Sequence, residues 1–213
     1  MMSNIKNKIN LLNEHVIFDK ITYEKIIKKI NDFCSKLETS KKYYDDKRKA
    51  SRAEENIKIG KYGEIGTYMF LRKYNFPELK IDFEIRDGNK KGWVADLPYN
   101  SVNNKYPNIH VKTCDKISSD MVSEQKDIYT WTFQYSNSDD KNGNDILFRE
   151  YGENDIVSLV YIKDMESNDV EIVAMAPWKE IIDILKDPIL EKYKGIKKCL
   201  YYKDLLKKTY GRN

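Results

Sequence analysis

The apolar residues of this chain change their period once, and that change sets the order of its parts. Before Asn75-Phe76-Pro77 they recur at three- and four-residue steps, the spacing of a helix face. After it they alternate with polar residues, the spacing of a half-buried strand. Tyr23, Ile26, Ile27, Ile30, Phe33 and Leu37 predict a helix over 22–39, with Thr22 as N-cap and Glu24 in its first turn. The stretch KKYYDDKRKASR at 41–52 has no apolar stripe and reads as a charged loop or an exposed helical stretch. A second helix is expected over 53–74, with Ile57, Ile65, Tyr68, Met69 and Leu71 on its apolar side. Gly60, Gly63 and Gly66 weaken it by up to about 1 kcal/mol each relative to alanine. Their spacing points to a close approach, by a sheet or by a ligand.

Beyond the switch, Ile81, Phe83 and Ile85 alternate with Asp82, Glu84 and Arg86, and Asp87-Gly88-Asn89 signals a turn. Further strands are expected over 93–97, 109–113, 129–135, 156–162 and 170–176. The 129–135 strand carries Trp131 and Phe133 on one face, and the apolar run 156–162 suits a buried central strand. Pro177-Trp178 opens a helix through Leu185, and Asp187-Pro188 begins a helical, basic tail. The pattern predicts an α/β (α+β) protein: helices, then a mixed sheet, then helices again. Residues 1–52 read as a helical, basic appendage and 53–213 as one domain.

With 213 residues, the chain is long enough to bury a sizeable core. No apolar run approaches a membrane span, and the opening MMSNIKNKIN lacks the apolar region of a signal peptide. Cys34, Cys114 and Cys199 are far apart and form no zinc-like cluster, which argues for a reducing, intracellular (cytoplasmic) setting. Two histidines, His15 and His110, exclude mechanisms that need three. The net charge of +4 hides segregation: basic residues gather at 20–29, 41–52 and 192–208, and acids at 115–169. Such separation suits an anionic partner gripped at one end.

Two charges stand where charge is costly. Asp96 ends an apolar strand (Trp93, Val94, Ala95, Leu97), and Lys112 lies inside the strand Ile109-His110-Val111-Lys112-Thr113. His110 and Lys112 are two apart and share a face. If those strands are neighbours, each charge answers the other. Glu64, on the glycine-rich helix, can reach the same place if that helix packs beside them. Two carboxylates, a lysine and an imidazole suit a hard divalent cation such as Mg²⁺ and a scissile phosphate. His15 reads as a surface residue, and Asp82 and Glu84 as a solvated strand face. Gly60-x-x-Gly63-x-x-Gly66 is neither a Walker loop nor a dinucleotide fingerprint.

At these residues the chain resembles the PD-(D/E)xK, or restriction-endonuclease-like, nuclease superfamily. The order is similar: a helix acid (Glu64), a strand-end aspartate (Asp96), then a residue-x-lysine strand (His110-Val111-Lys112). The resemblance spans roughly residues 53–176. It implies a restriction-endonuclease-like mixed sheet flanked by helices and a metal-dependent DNA endonuclease. Glu64, Asp96 and the Val111 carbonyl would hold Mg²⁺ or Mn²⁺, Lys112 would assist the attacking water, and double-stranded DNA would be the substrate. A homodimer is compatible with it. His110 stands where the family usually has Asp or Glu, and Ala95 where it has Pro. His110 can ligate a softer ion such as Mn²⁺ or orient a water. Alternatively, the site is weak or dead and the chain is a nuclease-fold DNA-binding module.

Overall fold

The computed structural model describes residues 8–38, 50–74, 76, 79, 81, 83, 95–97, 107–120, 129–135, 146–149 and 155–211. Strand β1 (Asn10–Ile17) leads into helices α1 (Lys20–Glu38) and α2 (Ala50–Lys73). Then come β2 (Ile109–Asp115), α3 (Lys116–Asp120), β3 (Thr130–Gln134), α4 (Ile146–Arg149), β4 (Ile156–Ile162) and β5 (Asp169–Pro177). Helix α5 (Trp178–Ile182), a 3-10 turn (Glu191–Tyr193), β6 (Lys197–Tyr201) and α6 (Tyr202–Tyr210) complete the chain.

The central sheet has the order β1-β5-β4-β2. β2 runs parallel to β4, while β5 is antiparallel to both β4 and β1. β3 and β6 form a separate antiparallel ribbon. The chain is thus a mixed α/β protein with a mixed sheet flanked by helices. β4 is apolar almost throughout because both its faces are covered. Ile156, Val160 and Ile162 join the core under α1 and α2, whereas Val157 and Leu159 join the core under the ribbon.

Helix α2 lies close on the sheet because two of its glycines permit it. A Cβ on Gly63 would collide with the Thr113 side chain of β2, and one on Gly66 with Val170 of β5. Between them Thr67 shares a buried 3.0 Å hydrogen bond with Ser158 of β4. Gly60 meets nothing, so close packing needs only two of the three glycines. On the other face Trp131, Phe133 and Leu200 of the ribbon are fully buried, and Trp131 Nε1 donates to the Val160 carbonyl at 2.9 Å.

Several elements differ from the sequence reading. α1 begins at Lys20, and its cap is Asp19 rather than Thr22. The Asp19 carboxylate accepts from the Thr22 amide at 3.0 Å and from its hydroxyl at 2.6 Å. Those bonds lower the Asp19 pKa, the hydroxyl contributing most. Residues 10–17 lie in the segment read as an appendage, yet they form an edge strand of the central sheet. Asn13 takes a left-handed φ of 48° at the bulge between Leu11 and Glu14. The tail beyond Pro188 contains strand β6 before its helix. The 129–135 strand belongs to the ribbon, not the main sheet. The turn at 87–89 and the loops 41–49, 99–106 and 136–145 lie outside the described residues, as does most of the 81–86 strand. Among the described residues, no helix is long and apolar enough to cross a membrane.

Candidate active site

The site is built on the outer edge of β2, the edge turned away from β4. Leu97 and Ile109 exchange both backbone hydrogen bonds, at 3.0 and 3.3 Å, in an isolated antiparallel bridge. A continued ladder would next offer a backbone carbonyl to the Val111 amide. Instead that amide donates to Asp96 Oδ2 at 2.7 Å. The side chain of Asp96 therefore takes the place of a ladder carbonyl beside Val111. Alternation along a strand points the Val111 carbonyl toward the same edge as its amide. An anionic oxygen and a carbonyl oxygen thus share this edge.

The other expected residues approach from two sides. Glu64 lies on α2, over the Thr113 face of β2, and is only 7% exposed. Its Oε2 accepts from Lys61 Nζ at 2.7 Å, one turn earlier on the helix. The Lys61 ammonium also lies 5.4 Å from the Phe33 ring and 5.6 Å from the Phe83 ring. Lys112 and His110 project from the opposite face of β2. Lys112 Nζ sits 5.5 Å from the ring of Phe133, on the ribbon side. Asp96 and β2 are thus brought together, while Glu64 and Lys112 lie on opposite faces of the sheet.

His110 is 1% exposed and has a partner the sequence reading missed. Its Nε2 is 3.1 Å from Asp155 Oδ2. Asp155 also accepts from Asn108 Nδ2 at 3.2 Å, and its carbonyl accepts from the Trp178 amide at 3.0 Å. The group clamps the starts of the parallel strands β2 and β4 to α5. The only sequence signal for Asp155 is its place just before an apolar run.

Other candidates resolve simply. His15 is half exposed and pairs with Asp169 at 2.9 Å across β1 and β5, as suits a surface residue. Asp115 caps the short α3, accepting from the Ser118 amide at 2.7 Å. The Cys114 thiol is buried, and burial drives its pKa well upward, away from the thiolate a nucleophile needs. Among the described residues no group of three or more His, Cys, Asp or Glu side chains could hold a metal ion. The donors at the β2 edge are oxygens, few in number. That set suits Mg²⁺, which keeps several waters, better than zinc. No protein-family model, curated protein or solved structure matches the chain.

Proposed function

We propose that this protein is a metal-dependent DNA endonuclease of restriction-endonuclease-like fold, acting on double-stranded DNA. One observation carries the reading: the Asp96 carboxylate is held against the residue-x-lysine strand by the Val111 amide. Asp96, Glu64 and the Val111 carbonyl would hold Mg²⁺ or Mn²⁺. The bound ion would lower the pKa of a water and neutralise charge on the scissile phosphate. Asp96 is oriented by its backbone bond and needs no rearrangement to present an oxygen. Glu64 is held by its ion pair with Lys61. Lys112, swung from Phe133 toward the edge, would hold the attacking water and offset developing negative charge. A homodimer would let two such sites address two strands.

A second reading is favoured by His110. Bound to Asp155, it holds two strands together and leaves the family's usual second carboxylate without a substitute. The chain would then be a weakly active or inactive DNA-binding module of the same fold. Plasmid nicking with Mg²⁺ and with Mn²⁺ separates the two. The endonuclease cleaves, and Asp96→Ala and Lys112→Ala each lose at least a hundredfold. Equal cleavage by all three proteins would refute the assignment. Salt-sensitive DNA binding with no cleavage in either metal would select the module.

A further inference from the structure

Helix α2 carries two lysine–glutamate pairs, and they differ in setting. The side chains of Lys58 and Glu54 are 31% and 30% exposed, and a surface pair of that kind contributes little. Those of Lys61 and Glu64, three residues apart on one face of the helix, are 16% and 9% exposed. A carboxylate buried to that degree needs a counter-charge, because leaving it unpaired is costly. Lys61 Nζ supplies one, 2.7 Å from Glu64 Oε2.

The same ammonium has aromatic neighbours. The ring of Phe33, from α1, is centred 5.4 Å from Lys61 Nζ and that of Phe83 5.6 Å from it. The two rings meet edge to face, with centroids 5.6 Å apart. Both distances to the ammonium fall near the limit of about 6 Å at which a ring still attracts a cation. Lys61 thus has two seats within reach: the carboxylate that it holds and the aromatic pair beside it. Lys29 of α1 also attends the Phe83 ring, at 4.3 Å. A buried carboxylate that is to receive a metal must be neutralised beforehand by something the metal can displace. An ammonium on a flexible four-carbon stem meets that need.

We infer that Lys61 is a resident counter-ion of Glu64: it neutralises the carboxylate in the metal-free protein and yields it to a divalent ion, its ammonium moving onto Phe33 and Phe83. The inference deepens the endonuclease reading and rests on its placing Glu64 among the metal ligands. Lys61 and the ion then compete for one carboxylate, so removing the first strengthens the second. The test is calorimetric titration of the full chain with Mn²⁺, with thermal melts in the presence and absence of the ion. Lys61→Met keeps the apolar stem and loses the charge, and it should bind Mn²⁺ about fivefold or more tighter than wild type. Its Tm should lie below that of wild type without the ion and recover toward it with Mn²⁺. Lys61→Gln should shift both readouts the same way, and it serves if Lys61→Met does not fold. Lys29→Met, which removes the ammonium at the Phe83 ring, should leave the affinity unchanged. In a Glu64→Gln background, Lys61→Met should give no gain. Unchanged or weaker Mn²⁺ binding by the folded Lys61 variants overturns the inference. So does an equal gain in Lys29→Met, or a gain that survives Glu64→Gln. If wild type binds Mn²⁺ and Asp96→Asn weakens that binding, such results leave the endonuclease reading standing. A wild type that binds no Mn²⁺ removes that reading and the inference together.

Discussion

Gly63 and Gly60 lie one turn apart on α2, yet they differ in what a methyl group would meet. At Gly63 it strikes Thr113, and at Gly60 it meets open space. Gly63→Ala should therefore destabilise the protein by about 1–3 kcal/mol through overpacking. Gly60→Ala should be neutral or stabilise it by up to about 1 kcal/mol. Urea midpoints for the pair measure the contrast, and equal losses would mean that α2 does not seat on β2 as described. Asp155→Ala should cost about 1–3 kcal/mol by stranding the buried His110 and the half-buried Asn108 side chains, with Asp155→Asn milder because it still accepts a hydrogen bond. An Asp155→Ala midpoint within error of wild type would contradict the clamp. Asp96 and Lys112 drew attention in the sequence because a charge beside apolar strand residues needs a partner; the one found for Asp96 is the Val111 amide. Asp155 was not, because its partner lies on a parallel strand, and parallel pairing leaves no mark in the local pattern.

At the scale of elements, periodicity located both long helices and the core of β2, β4 and β5. It placed the start of α1 too late, because the Asp19 cap precedes the first apolar residue of the stripe. Since that carboxyl is held below its ordinary pKa, its contribution is fully present above the ordinary carboxylate range. It is lost as pH falls through the lowered value, so the first turn of α1 should fray in acid sooner than its middle. Amide exchange in the first turn of α1 reports this, and no difference between wild type and Asp19→Ala would contradict it. Strand β6 went unread because its lysine-rich composition resembles a solvated helix; only its pairing with β3 shows the alternation of Lys198 and Leu200 against Lys197 and Cys199. The ribbon is tied to the sheet by the Trp131 indole on the Val160 carbonyl. Trp131→Phe should cost about 1–3 kcal/mol, since it removes a buried hydrogen bond and leaves a small void beside the sheet. A cost near zero would indicate that the ribbon does not pack there.

For the whole molecule, burial sets the alkaline limit. Desolvation raises the pKa of Cys114, Tyr62, Tyr129 and Tyr201, and it pushes Cys199 up to about 11. Each group contributes stability that is complete below its ordinary pKa, 9.0 for cysteine and 10.0 for tyrosine. That stability is lost as pH rises toward the folded value, because the unfolded chain ionises first. The Tm should therefore fall progressively above pH 9, and a flat profile up to pH 11 would contradict this burial pattern. The candidate site was legible as a set of residue types in order along the chain. How they assemble was not, since strand-face alternation sends Lys112 to the ribbon side and leaves Glu64 on the helix side. Whether that edge takes a divalent ion decides the function. Mn²⁺ titration by calorimetry, comparing wild type with Asp96→Asn, tests it most directly. A metal-dependent nuclease should bind Mn²⁺ and lose at least tenfold in affinity on Asp96→Asn with its fold intact. Unchanged Mn²⁺ binding in the variant, or none in the wild type, would contradict the proposed metal site.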